Sequence, residues 1–344
     1  MAIEQEKSAT AVPAHAQLIR MSTFYWMPRM LYAAARLELA DHLATGARTA
    51  AELAAVTRTQ PALLYRLLRT LASLGLFTED QAQRFSLTEL GAALRKDAPG
   101  AARSSVLTLA SPWFMSASEQ LLHTVETGAT GFETAHGMPF FDYLGRHPEL
   151  ASLFSETMVG VHGAEPPAVA AAYDFSRFDT ILDVGGATGN MLAAILGRHA
   201  RPRGVLFDMP HVVRDARRLL EERGVAQRVS IEAGSFFERV PAGADAYLLS
   251  HIIHDWSEAQ CLTILEHCRR ALKPEGCLLI IETVIPPGNA PHPGKTQDIS
   301  MMVLAGGQER TESEYASLLA RAGLRLSRVV PTESAVSLVE AVLA

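Results

Sequence analysis

Between positions 181 and 190 the chain reads Ile-Leu-Asp-Val-Gly-Gly-Ala-Thr-Gly-Asn, and the apolar run Met191–Leu196 follows at once. A short apolar strand that ends in an acid, turns on glycines and opens a helix is one repeat of a parallel sheet wrapped by helices. The texture downstream agrees. Further apolar runs predict strands at Arg203–Phe207, Val229–Ala233, Ala246–Ile253, Cys277–Thr283, Arg325–Pro331 and Val336–Ala344, separated mainly by helical patterns. Counting Thr180–Val184, this gives an α/β fold with a mostly parallel, Rossmann-like sheet of seven strands, the last two closing as an antiparallel hairpin.

At 344 residues there is room for more than this sheet. Residues 1–14 show no periodicity and are expected to be a flexible arm. Apolar residues recur at helical spacing from Ala16 to Leu43, with many Met and aromatic side chains. Thr49-Ala-Ala-Glu52 is a capping box opening a short helix, and Pro61–Leu74 is a second helix stopped by Gly75. Phe77–Asp80 and Arg84–Leu87 then read as a hairpin. Helix, helix and wing over 15–100 make a winged-helix domain, either a DNA reader or a packing module. Arg58, Arg66, Arg69 and Arg84 are opposed by Glu52, Glu79, Asp80 and Glu89, which favours packing or dimerisation. Residues 101–172 are helical and rich in Trp113, Phe114, Met115, Phe140, Phe141, Phe154 and Met158, a composition equally suited to plain core or to a wall for a flat ligand. Residues 173–344 carry the sheet.

The net charge of -6 and the absence of a basic run argue against a nucleic-acid partner. No apolar stretch reaches the roughly 20 residues that span a bilayer, and the N-terminus lacks a signal-peptide core. Cys261, Cys268 and Cys277 have neither zinc-site nor disulfide spacing and read as buried apolar residues, so a cytoplasmic protein is expected.

The glycine turn alone does not distinguish a dinucleotide from S-adenosylmethionine. Three features favour the latter. The third glycine of the dinucleotide fingerprint is missing, and Asp183 stands just before Gly185 and Gly186 to receive the amino-acid end of the cofactor. Asp208, followed by Met209, closes the second strand where a ribose diol needs a carboxylate. Gly234-Ser235-Phe236 ends the third strand with a hydroxyl and a ring for adenine, although Phe236 also reads as core.

The fourth strand delivers Ser250 and then His254-Asp255-Trp256 to the same rim. A positioned imidazole, near pKa ~6.5, is the natural base for a phenolic hydroxyl near ~10. A sulfonium is already a good leaving group, so the chemistry calls for no metal. Glu282, ending the fifth strand, is expected beside His254 to hold its tautomer, and Glu309 is a second carboxylate or else the start of a helix. His251, three residues before His254, is expected on the opposite side of the strand as a structural residue or a pocket wall. Trp256 either closes over the cofactor or anchors a helix start.

Five segments in order, Asp-Val-Gly-Gly-Ala-Thr-Gly (183–189), Phe-Asp-Met-Pro-His (207–211), His-Asp-Trp-Ser (254–257), Ile-Glu-Thr-Val-Ile-Pro (281–286) and Gly-Gly-Gln-Glu-Arg-Thr (306–311), resemble the caffeate- and isoflavone-type plant O-methyltransferases and their bacterial relatives acting on polyketides and phenazines. The resemblance covers nearly the whole chain. It implies a class I S-adenosylmethionine methyltransferase sheet behind an all-helical winged-helix dimerisation domain, and a homodimer. It further implies methylation of a hydroxyl on an aromatic small molecule, with N- or C-methylation or a non-methylating activity as the alternative and a winged-helix regulator as a more distant one. His254 looks like the base, Glu282 and Glu309 like its flanking acids, and Asp208 like the ribose acid. Gly185 looks like the close-approach glycine, and Ser250, Asp255 and Trp256 are grouped with the cofactor rim. Phe154, Met158 and Met301 fall near acceptor-lining positions, and Trp113, Phe114, His162, Asp298 and Met302 complete the expected acceptor set. Ser235 stands where relatives commonly have an acid, and Ser250-His251 where they often have a Lys or Arg.

Overall fold

The computed structural model describes residues 12–344, so the arm expected over 1–14 lies almost wholly outside the described residues. The chain forms two compact units, one of residues 12–115 with 152–160 and one of 116–151 with 161–344. The stretch 101–172 is thus shared between the two.

In the first unit the periodicity of 16–43 does not give one helix but three, Ala14–Ser22, Trp26–Arg36 and Leu39–Leu43. Pro28 has no N–H to give to the preceding turn, so a helix restarts just before it, and Glu38 takes a left-handed backbone, φ 52°, ahead of the third. The capping box forms as expected: Glu52 N–H donates to Thr49 Oγ1 at 3.2 Å and Thr49 N–H to Glu52 Oε2 at 2.7 Å. Leu68, Leu71, Phe77 and Phe85 are fully buried between the helices and the wing. The domain is not all-helical. β1 (Arg48–Thr49), β2 (Phe77–Glu79) and β3 (Arg84–Leu87) form an antiparallel sheet with β3 in the middle, because Thr49 pairs with Arg84 as well as opening its helix. Arg84 is engaged inside the unit, donating to the Ala47 carbonyl and lying 3.6 Å from Glu52.

The second unit holds β4 (Thr180–Val184), β5 (Arg203–Asp208), β6 (Val229–Ala233), β7 (Ala246–Ser250), β8 (Cys277–Glu282), β9 (Leu324–Pro331) and β10 (Ser337–Leu343). Their order is β6-β5-β4-β7-β8-β10-β9. Pairing is parallel from β6 through β8, while β10 runs antiparallel to both neighbours. Alternate residues feed two cores. Ile181, Leu206, Leu248 and Leu279 pack on one face, and Leu182, Phe207, Leu249 and Ile280 on the other. This period of two with both faces covered is why these strands read as continuous apolar runs. Among the described residues no helix is long and apolar enough to cross a membrane.

β7 stops at Ser250, short of the expected Ile253. His251 takes φ 54° and a single 3-10 turn, Ile253–Asp255, follows. The chain leaves β4 outward to β5 and β6, then returns to β7 on the other side of β4. Such a reversal opens a crevice beyond the carboxyl ends of the strands, where open parallel sheets bind ligands.

Candidate active site

His254 sits on the 3-10 turn after β7 and is 5% exposed. Its Nδ1 is 2.7 Å from Glu309 Oε1, and its Nε2 is 3.6 Å from Asp255 Oδ1. Glu282 plays a different part from the one its position in sequence suggests. Its Oε1 accepts the backbone N–H of His254 at 3.0 Å and its Oε2 accepts the hydroxyl of Tyr315. Glu309 therefore faces the imidazole ring, while Glu282 holds the turn that carries it. Glu309 is held in turn: Asp298 Oδ1 accepts its backbone N–H at 2.9 Å, and the fully buried Arg310 donates to the Ile253 carbonyl at 3.3 Å. Gly307 lies so close to this turn that a Cβ there would stand 1.9 Å from the His254 carbonyl oxygen.

Burial by itself would lower the His254 pKa, but the carboxylates of Asp255, Glu309 and Glu282 outweigh it and raise the imidazole to about 10. The Asp255 carboxyl is raised as well, but by burial itself, which lifts it to about 6 despite the neighbouring imidazole. Charged partners in a water-poor site interact more strongly than in solvent, so a proton is bound tightly at the ring.

The glycine loop after β4 lies beside this cluster along the rim. Gly185 has φ 72°, and a Cβ there would lie 2.5 Å from Ile252 Cδ1, while one on Gly186 would lie 2.5 Å from the Asp183 carboxylate. Both positions need glycine for the chain's own close packing. Asp183 is fully buried, and neither of its carboxylate oxygens has a hydrogen-bond partner. Burial, helped by the charge of Asp208, raises its pKa to about 7. Asp208 accepts the N–H of Ala187 at 2.9 Å and of Met209 at 2.6 Å, which ties the end of β5 to the loop. After β6, a Cβ on Gly234 would meet the Phe207 ring at 2.7 Å, and Ser235 Oγ accepts the Phe237 N–H at 3.2 Å. Trp256 is stacked on Phe141 at 5.5 Å and meets Phe236 and Phe237 edge-on.

An O-methyltransferase domain matches residues 118–325, and an O-methyltransferase dimerisation domain matches 19–97. The chain belongs to the O-methyltransferase family. The methyltransferase is 42% identical to a phenazine O-methyltransferase of Lysobacter antibioticus over 98% of each chain. It is 35% identical to an 8-amino-8-demethylriboflavin N,N-dimethyltransferase of Streptomyces davaonensis, over 90% of each. It also resembles the crystal structure of an O-methyltransferase from neocarzinostatin biosynthesis in complex with S-adenosylmethionine and 2-hydroxy-5-methyl naphthoic acid. There the TM-score is 0.84 at 33% identity, covering 96% of this chain and all of that one.

S-adenosylmethionine is the methyl donor of this family, and the residues of the methyltransferase suit it. Two acids at adjacent strand ends, one of them with both oxygens unpartnered, call for a ligand that brings positive charge and hydrogen-bond donors. A sulfonium carrying an ammonium and a ribose diol brings both.

The expected acceptor residues fall in both units. Trp113, Phe114, Phe154 and Met158 belong to the first. In the second, Asp298, Met301 and Met302 share the helix Pro293–Leu304, where Asp298 is engaged with Glu309. His162 points elsewhere: its Nδ1 is 3.1 Å from Glu165. His251 does not lie across the strand from His254, since its left-handed backbone breaks the alternation and sets the two rings 5.1 Å apart. Sequence reasoning missed Tyr315, Arg310 and Glu165. An Arg just before the N-cap of the helix Glu312–Arg321 and a Tyr in its first turn carry no local signal of burial, and only the neighbouring strand ends reveal it.

Proposed function

We propose that this methyltransferase transfers the methyl of S-adenosylmethionine to a hydroxyl of an aromatic small molecule, with His254 as the general base. The observation that carries the reading is the Glu309–His254 pair at 2.7 Å, buried at the strand ends beside the glycine loop. When bound, S-adenosylmethionine supplies a cationic sulfonium whose methyl is electrophilic. Asp183, Gly185, Gly186, Asp208, Met209, Gly234, Ser235, Phe236 and Ser250 would hold it, with Asp183 at its amino-acid end and Asp208 at its ribose. Asp255 and Trp256 would complete the set that holds the methyl donor.

Glu309 fixes the imidazole with Nδ1 as the protonated, donating nitrogen, which leaves Nε2 to receive the proton of the acceptor hydroxyl. As the ring becomes imidazolium, Glu309 and Asp255 stabilise it, and the proton later passes to water. Glu282 acts one step removed, as a positioning residue for the turn. The acceptor is read as flat and aromatic, in line with the phenazine and naphthoic acid of the relatives. Methylation of nitrogen is the second reading, favoured by the riboflavin-type relative.

The protein is further read as a cytoplasmic homodimer. Three buried free cysteines support the compartment, and Ile19, Phe24, Trp26 and Met27, exposed at the start of the matched dimerisation domain, support the pairing. In this reading residues 15–100 dimerise, 101–172 line the acceptor site and 173–344 bind the methyl donor.

The test is incubation of the purified protein and S-adenosylmethionine with a panel of hydroxynaphthoates, hydroxyphenazines and matched aminoarenes. A product heavier by one CH2 and cleaved as an aryl ether supports the reading. Methylation of the amines alone would replace it with the second.

A further inference from the structure

One cluster in the second unit takes no part in the chemistry above. Glu165 is the first residue of the helix Glu165–Ala172 and is 6% exposed. Its carboxylate meets two imidazole edges: His251 Nε2 at 2.6 Å from Oε2, and His162 Nδ1 at 3.1 Å from both oxygens. The two rings lie against each other with centroids 3.9 Å apart. Among the described residues, these imidazoles are the only ion-pair partners of Glu165, with no Lys or Arg beside it. His251 reaches the cluster through a left-handed backbone, φ 54°, that a non-glycine residue adopts at a cost, and its Nδ1 is buried without a partner.

From this arrangement we propose that His162, Glu165 and His251 form a binding site for a transition-metal dication of the zinc class. Two neutral imidazoles and one carboxylate are a three-ligand set that leaves a fourth position open, and their donor atoms all lie within 4.8 Å of one another. Tetrahedral ligation at ~2.0–2.1 Å puts donors ~3.3 Å apart. The carboxylate and His251 must open by less than an ångström from 2.6 Å, the carboxylate and His162 start at 3.1 Å, and the two imidazole nitrogens start within 4.8 Å of each other. A dication also answers the charge problem, since it neutralises a buried carboxylate that imidazoles alone can balance only by taking up protons. The imidazole side chains are 24% and 16% exposed, which leaves a path for the ion. Nitrogen donors select zinc, cobalt and nickel over magnesium and calcium. The proposal does not rest on methyl transfer, which calls for no metal, and its failure would leave the proposed function untouched.

The experiment is a titration of the chelator-stripped full-length protein with Co2+, followed by visible d–d absorption, then displacement by Zn2+ against a chromogenic chelator. The expected result is about one Co2+ per chain with the intensity of a four-coordinate site, displaced by Zn2+ and unaffected by Mg2+. His162→Ala and Glu165→Gln should each weaken binding by roughly tenfold or more. Circular dichroism and unfolding midpoints check that the variants fold, and if Glu165→Gln does not, the partly exposed His162 still decides the matter. No uptake would mean a hydrogen-bonded triad only. Uptake unchanged in a folded His162→Ala would place the ion on other histidines. Either result overturns the proposal.

Discussion

The Nδ1 of His254 lies 2.7 Å from Oε1 of Glu309, a residue 55 positions further along the chain. Both side chains are almost wholly buried, so this carboxylate orients the ring and joins Asp255 and Glu282 in favouring its protonated state. If His254 takes the acceptor proton, His254→Ala lowers kcat by about a hundredfold or more. Affinity for S-adenosylmethionine, measured by calorimetry, stays within about threefold of the parent, because the ring is not among the groups read as holding the donor. Unchanged kcat with a working acceptor would remove His254 as the base.

The base acts only when unprotonated, and its pKa is raised from 6.5 to about 10. Activity is therefore lost as pH falls through the raised value, and kcat/KM should climb from neutral into alkaline pH rather than level off near 7. Glu309→Gln removes one of the charges that raise it, so the climbing limb of this variant should move to lower pH while its plateau drops. A pH–rate profile of both proteins measures this, and a limb that stays in place or moves upward contradicts the assignment.

Tyr315 donates to Glu282 in a fully buried setting, and Glu282 holds the His254 backbone N–H. Tyr315→Phe leaves a buried carboxylate oxygen without its donor and should cost about 1–3 kcal/mol in urea unfolding. Because the loss also frees the turn, kcat should fall more than KM rises. A change in KM alone would mean that Glu282 does not position the base.

At Gly307 an added methyl would stand 1.9 Å from the carbonyl oxygen of His254. Backbone on both sides cannot yield as a side chain would, so Gly307→Ala should displace the turn at a cost of roughly 1–3 kcal/mol. The prediction is a lowered unfolding midpoint together with strongly reduced kcat, whereas Gly197→Ala, whose Cβ meets nothing within 4 Å, changes neither.

Asp208 closes β5 with two backbone N–H donors on its carboxylate. Asp208→Ala should raise the KM for S-adenosylmethionine by roughly 10–100-fold, with a much smaller effect on kcat at saturation. An unaltered KM would take Asp208 out of the donor site.

The amino-acid sequence by itself determined the strands, the glycine turn, the capping box at Thr49 and Glu52, and the procession of Asp183, Asp208, Gly234, His254 and Glu282 along one rim. These features depend on contacts a few residues apart, on the period of two along a buried strand, and on the rule that parallel strands end on the same side. Only the tertiary structure decided which acid faces which nitrogen. In sequence Glu282 is the first candidate to hold the ring and Glu309 the second, but the end of β8 brings Glu282 to the His254 backbone and the turn after residue 306 brings Glu309 to its ring. His251 shows the same limit. Strand alternation would send it away from His254, and one left-handed backbone angle turns it instead toward Glu165, 86 positions earlier. Pairings across such separations are set by how neighbouring elements pack, which no local pattern of residues encodes.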